Sequence, residues 1–451
     1  MPRRLVILSS TILLSGCFAG AQNFPELNSP KEWGSVQGQE TSVVEVESLQ
    51  GWWNKFDDPV LNSLVEFSLS DSPDRKIAEA KILEARGIRR TTRSALFPKL
   101  DASATGGRQD NASSKVDDYY DAGFDASYEI DVFGKNRKNS SASNSRLEAV
   151  EAEYHDVGIT LIADVARSYI NYRAFQKQSA VAKKNLVTQE KTLELIKQQR
   201  EFGEAPQLDV ERATTIVNTT KSSIPEFDRL ADNARLQLSV LTGKFPGELL
   251  PLLSEVADIP GGAVDPVLMS PANVLAMRPD IRAASANLAA NTSLAESVTA
   301  ELFPTFTISG FFKVTESALI DSTSIWNTAL GAAVSILDFG RIEGRIDAAR
   351  AVEMQAYQSY RSAVLRAVTE VETALTDTAH INKQRVSLQK AYDSAERSFI
   401  LSEELYREGE ISFLDVLDAQ RTVNEADSAL ITAEAAQSES LVRLYKSLGV
   451  Y

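Results

Sequence analysis

Gly203-Glu204-Ala205-Pro206-Gln207-Leu208-Asp209-Val210 returns as Gly409-Glu410-Ile411-Ser412-Phe413-Leu414-Asp415-Val416, a displacement of 206 residues. The same displacement carries Ser72-Pro73-Asp74 to Arg278-Pro279-Asp280, Leu96-Phe97-Pro98 to Leu302-Phe303-Pro304, Phe133-Gly134-Lys135 to Phe339-Gly340-Arg341, and Gly243 to Gly449. A shift that stays constant over about 170 residues means two halves of one architecture.

Each half carries the same punctuation. Pro73 and Pro279 suit a first helical turn, where no N–H is needed, and Asp74 and Asp280 suit its positive end. These helices are expected to run to Phe97-Pro98 and Phe303-Pro304, where proline stops them. Alternating runs follow, Leu100 to Thr105 and Phe124 to Asp131 in one half, Phe306 to Ser309 and Thr328 to Leu337 in the other. They predict two strands per half, separated by polar loops around Gln109 to Asp118 and Lys313 to Ser324.

Beyond Gly134 and Gly340 the apolar spacing turns helical and stays so. Val150, Tyr154, Val157, Leu161, Val165, Tyr169 and Tyr172 step by three or four, as do Val364, Val368, Val371 and Leu375. From Ser140 to Arg200 only Gly158 interrupts, which predicts a rod of roughly 90 Å. Gly203 and Gly409 end the rods. Ser412 to Asp415 is a capping-box pattern that starts a returning helix, with Pro206 in the matching place as a first-turn residue. The returning helices, to Leu241 and Leu448, fall short of the rods by about the length of the Pro73 and Pro279 helices, so two short helices stacked end to end would match one long one.

The divisions predicted are an export signal over 1–16, an N-terminal and equatorial segment over 17–71, a first repeat over 72–243, a linker over 244–277 and a second repeat over 278–451. Arg3 and Arg4 precede the apolar run Leu5 to Leu14, and Cys17, the sole cysteine of the 451 residues, follows a small-residue cleavage site. That pattern reads as a lipobox, with Cys17 as a covalent lipid anchor and the chain's only attached group. About ten apolar residues are too few for a spanning helix. With no longer uncharged run, membrane crossing falls to strands closed into a barrel. Four strands cannot close one, so several copies must share it. The net charge of −15 disfavours nucleic acid.

Around this frame lie Gly51-Trp52-Trp53-Asn54-Lys55-Phe56-Asp57-Asp58-Pro59, Arg278-Pro279-Asp280-Ile281-Arg282, the paired Phe-Pro strand entries, and Leu414-Asp415-Val416-Leu417-Asp418-Ala419-Gln420-Arg421. In these residues, and over about 50–448, the chain resembles the TolC-like outer-membrane efflux proteins, in the lipid-anchored branch that serves RND-type pumps. The resemblance implies a mainly α-helical fold, a coiled-coil barrel, with four strands per chain entering a twelve-stranded barrel in a homotrimer. It implies docking on a periplasmic adaptor protein and an inner-membrane RND transporter, export of small toxic solutes, and no catalytic centre. It also implies a periplasmic gate at Leu414, Asp418 and Arg421, which share a helix face by spacing, and adaptor-docking tips at Gly203, Glu204, Gly409 and Glu410. Ala205-Pro206 departs from the family pattern at the first tip.

Other residues take plainer readings. Asp209 and Asp415 cap helices, His155 and His380 pack in long helices, and Trp52 and Trp53 tie the N-terminal segment to the equatorial belt. No metal cage is visible with one cysteine and two histidines. The residues also leave open a duct paired with an ABC-type polypeptide exporter, and a structural coiled-coil lipoprotein with no pore.

Overall fold

The computed structural model describes residues 24–25, 30–34, 49–111, 115–261, 268–317 and 320–451. A 3-10 turn at Trp52–Phe56 leads into α1 (Pro59–Asp71), α2 (Pro73–Ser94), β1 (Lys99–Asn111), β2 (Lys115–Ile130), α3 (Lys135–Glu201) and α4 (Gln207–Thr242). The short α5 (Leu250–Leu253) and α6 (Pro271–Met277) cross to α7 (Pro279–Thr299), β3 (Thr305–Ser317), β4 (Ile320–Ala333), α8 (Arg341–Arg407) and α9 (Phe413–Leu448).

The sequence repeat is a structural repeat. α3 and α8 each have 67 residues, and α4 and α9 each have 36. At 1.5 Å per residue the long helices are rods of about 100 Å. α2 and α7 stop at Ser94 and Thr299, ahead of the expected prolines. The chain tightens first, through Phe97 N–H to the Ser94 carbonyl in one half and a 3-10 turn at Ala300–Leu302 in the other. Proline biases the residue before it out of the helical region, so the helix ends upstream.

Stacking end to end occurs in both halves. Gly243, with φ +67°, closes α4 directly against the Asp71 carbonyl and Pro73 at the start of α2, and Lys244 pairs with Asp71 at 2.8 Å. Gly449 (φ +77°) closes α9 against Arg278 at the start of α7. A side chain at Gly243 would occupy space filled by the Asp71 backbone, one at Gly449 would meet the stem of the Arg278 side chain, and the left-handed φ adds to the penalty at both.

α3 packs on α2 and α4 along one flank and on α7 and α9 along the other, while α8 packs on α7 and α9. The helices thus form one layer in the order α2/α4, α3, α7/α9, α8. An equatorial core covers one face of it: Trp33, Trp52, Phe56, Leu61, Leu64, Leu253 and Met269 bury against Leu161, Val165 and Tyr169 of α3 and Leu441, Tyr445 and Leu448 of α9. Trp52 stacks on Tyr445 at 5.2 Å, and this is how the tryptophan pair ties the N-terminal region to the rods.

The sheet order is β1-β2-β3-β4, antiparallel throughout. Its strands are longer than the alternating runs. Pairing continues through Gln109↔Asp117 to Asn111↔Lys115, and through Lys313↔Ile325 to Ser317↔Ile320, across much of both expected loops. A ladder is held by backbone N–H and C=O groups, so polar side chains do not end it where water is available on both faces.

Candidate functional site

Cross-strand register sorts the sheet's side chains into two unlike faces. One carries the row Ala102, Phe124, Phe312, Trp326 and the row Tyr128, Ile308, Leu330. The other carries Lys99, Ser127, Ser309, Ala329 and Asp101, Asp125, Phe311, Asn327, with Asp121 and Glu129 further along. Phe124, Phe312, Trp326 and Leu330 are exposed in the single chain. Soluble sheets bury such a face, whereas a membrane barrel turns it to lipid and keeps the polar face wet. Strands of 13 to 16 residues exceed the 9–11 or so that a tilted crossing needs. Among the described residues no helix is long and apolar enough to cross a membrane.

The far ends of the rods form the second part of the site. Gly203 and Gly409 adopt left-handed φ of +81° and +79° and turn the chain into the returning helices. They stand exposed with Glu204 and Glu410, whose backbone N–H groups donate to the Gln199 and Leu405 carbonyls. The two tips share one end of the molecule, because Leu193, Ile196, Ala213 and Val217 of the first hairpin bury against Phe413, Val416 and Leu417 of α9. Tyr406 Oη donates to Gln199 Oε1 at 3.0 Å across the same junction.

Ser412 and Asp415 make the capping box, and the Ser412 hydroxyl and backbone N–H donating to Asp415 hold its carboxyl below the ordinary range. The first tip differs. Pro206 is itself the N-cap, in extended conformation with no side-chain cap, so its assignment to the first turn does not hold. Asp209 instead takes an ion pair from Arg212 at 3.3 Å.

Leu414, Asp418 and Arg421 all lie on the exposed face of α9, opposite the buried Phe413, Val416, Leu417 and Gln420. Arg421 donates to Asp418 at 2.7 Å and to Glu425 at 3.3 Å, and the Asp418 hydrogen bond raises its pKa. Glu425 was not anticipated, although its i, i+4 spacing from Arg421 is the signal that finds it. His155 packs beside Tyr451 with its Nδ1 3.0 Å from Tyr451 Oη, and burial lowers its pKa. Among the described residues no group of three or more His, Cys, Asp or Glu could hold a metal ion. Cys17 lies outside the described residues.

A sheet with one lipid-type face and one wet face, continuous with rods of about 100 Å, defines a channel-forming outer-membrane protein. The family model for outer membrane efflux protein matches residues 64–244 and 271–450. The chain is similar to the pyoverdine export outer membrane protein OpmQ of Pseudomonas aeruginosa, 28% identical with 99% of this chain and 96% of that one covered. It is 26% identical to the probable outer membrane lipoprotein SilC of Salmonella typhimurium, covering 99% and 98%. Among solved structures, the outer-membrane channel OprN superposes with a TM-score of 0.86 at 31% identity, covering 95% of this chain and 98% of that one. The chain belongs to the outer membrane efflux protein family, and it serves as the outer-membrane channel of an efflux pump.

Proposed function

We propose that three copies of this chain close into a lipid-anchored exit duct that receives solutes from a periplasmic adaptor and an inner-membrane RND transporter. The observation that carries the reading is the two-faced sheet with both edges, β1 and β4, open. In lipid an open edge leaves unpaired N–H and C=O groups, each costing several kcal/mol. Twelve strands remove the edges and leave a lumen, which eight would fill with side chains. The helical layer has the matching need, since α8 and the α2/α4 flank are both its margins. A wet tube performs passage and no chemistry, so the chain is no enzyme.

Chain direction supports a lipid anchor at Cys17. Phe24 stacks on Tyr357 at 4.3 Å and Gly34 N–H donates to Glu372 at 2.6 Å, so the N-terminal segment descends along α8. From Tyr357 back to Arg341, where α8 leaves the sheet, is about 24 Å of helix. The seven residues from Phe24 back to Cys17 reach about as far when extended. By chain length alone a lipid on Cys17 is within reach of the inner surface of the membrane, and a relative, SilC, is named as a lipoprotein.

At the other end, Leu414, Asp418 and Arg421 form the narrow gate, and Gly203, Glu204, Gly409 and Glu410 meet the adaptor. The duct reading is tested by reconstituting purified protein in planar bilayers. Discrete conductance steps from a particle of three-chain mass are expected, and a protein that gives no steps is not a duct.

A further inference from the structure

One groove on the rods carries a charge opposite to that of the chain as a whole. It lies where α3, α8 and α9 meet and has a volume of about 580 Å³. Its charged lining is Arg167 of α3, Arg366, Glu370 and Asp377 of α8, and Arg443 and Lys446 of α9, four cations against two carboxylates in a protein of net charge −15. We propose that this groove binds small solutes that carry two or more acidic groups. The proposal rests on the exit-duct reading above and adds a ligand class to it.

The positive charge of the groove is left over after its internal pairing. Glu370 is held at 2.7 Å by Arg278, which does not line the groove. Arg443 lies 3.9 Å from Asp377 and 3.6 Å from Glu439, beyond hydrogen-bond length, and its buried Nε has no hydrogen-bond partner. Arg167 reaches only Asp164, at 3.4 Å on its own helix. Among the described residues neither Arg366 nor Lys446 has an ion pair or a side-chain hydrogen bond. Lys446 acts on Asp156 of α3 through its charge alone.

These cations are not part of the repeated scaffold. The 206-residue displacement takes Arg366, Arg443 and Lys446 back to Thr160, Gln237 and Val240, and Arg167 forward to Thr373. Positions that hold the helical layer together do repeat: Val165 and Val371 are images of each other, as are Leu238 and Leu444, and all four are fully buried. Packing accounts for what recurs. The four cations occur at one junction only and need another reason.

The groove opens on the channel side. Arg167 is two residues beyond Val165 and Arg443 two before Tyr445, so each points about 200° around its helix from a residue of the equatorial core. Cores of several copies turned inward would plug the tube, so the core faces outward and the groove faces the lumen. One groove per copy then makes a ring of positive charge at the level of the equator. Rings of Arg and Lys favour anions in pores, and a cleft lined by one sign of charge concentrates the other. A single acidic group can satisfy one of these cations, whereas Arg366 and Lys446 stand unpaired on two different helices. A solute with acidic groups at two places answers both, and the flat guanidinium of Arg366 suits a carboxylate or a phosphate equally.

Equilibrium dialysis of radiolabelled citrate against purified particles of three-chain mass, in low salt, tests the site. Saturable binding is expected, displaced by inorganic pyrophosphate and not by acetate at the same ionic strength. Arg366→Gln with Lys446→Gln is expected to weaken citrate binding at least roughly tenfold. Lys191→Gln with Lys383→Gln removes the same charge from exposed positions of α3 and α8 outside the groove and should leave binding within about twofold. Arg366→Gln alone, at an exposed position, gives an intermediate loss and serves if the double variant does not assemble. Binding that is absent, that acetate displaces as well as pyrophosphate does, or that survives loss of Arg366 and Lys446 overturns the groove. Particles that conduct in planar bilayers and bind no citrate leave the duct standing, and particles that do not conduct overturn the duct itself.

Discussion

Arg278 Nη1 donates to the Ser447 carbonyl at 2.8 Å, so the residue that begins α7 satisfies one of the last carbonyls of α9. The same guanidinium binds Asp280 at 2.7 Å and Glu370 of α8 at 2.7 Å, with only the edge of its side chain in water. Three helices therefore meet on one fork. Arg278→Ala leaves the Ser447 carbonyl and the half-exposed Glu370 carboxylate without this donor, while Asp280 keeps the Ile281 N–H, and a loss of about 1–2 kcal/mol is expected. Arg278→Lys keeps the charge and loses the fork, so it should recover only part of the loss. Denaturant unfolding of the two variants checks the order, and equal stability of Ala and wild type would refute it.

Gly243 and Gly203 have similar left-handed φ values, +67° and +81°, but unlike surroundings. Gly243 faces the Asp71 backbone, whereas nothing lies within 4 Å of where a Gly203 side chain would start. Gly203→Ala should cost about 1 kcal/mol, the backbone penalty alone. Gly243→Ala should cost about 2 kcal/mol or more, since the end-to-end joint between α4 and α2 must also open. Thermal midpoints of the two variants measured side by side decide this, and a Gly203 variant as unstable as the Gly243 one would contradict it.

Asp418→Ala with Arg421→Ala removes the ion pair proposed as the latch of the gate. Both side chains are more than half exposed, so the melting temperature should stay where it is. Single-channel conductance should rise, because the constriction loses both its charges and its bulk. Conductance unchanged in the double variant removes the gate assignment, including any latch through Glu425, whose contact is to the same Arg421.

The architecture was legible where backbone chemistry depends on residue type. Gly203 and Gly409 end helices in the sequence as they do in the fold, and the 206-residue displacement announced the matched rods. The strand ends were not legible. Gln109, Asp117 and Lys313 read as loop because alternation reports which face is apolar, while pairing depends on a neighbouring backbone. Pro206 was misplaced by one position for a related reason, since its fixed φ fits both the N-cap and the first turn. The passage of α7 and α9 between α3 and α8 has no local signal at all, because every helix in the layer has an apolar stripe. Of the tip, the capping box and the Asp418–Arg421 spacing were visible, and the burial of Phe413 against the first hairpin was not.

Asp427 lies half-buried in α9, with Lys177 and Lys184 of α3, Glu396 of α8 and Glu434 of its own helix as its charged surroundings. Burial raises its pKa above the ordinary 3.8, and Glu434 and Glu396 add to the rise against the two lysines. The folded state therefore holds this proton to a higher pH than the unfolded chain does. Between the ordinary value and the raised one, stability from this group falls as pH rises, and at neutral pH the ionised carboxylate is a net burden. Asp427→Asn removes the charge and keeps the shape, so it should raise the thermal midpoint at pH 7. That advantage should shrink as the pH is lowered through the raised value, where the native carboxyl becomes neutral as well. Melting curves of both proteins across this range test the sign, and an asparagine variant less stable at neutral pH would show that Lys177 and Lys184 outweigh the burial.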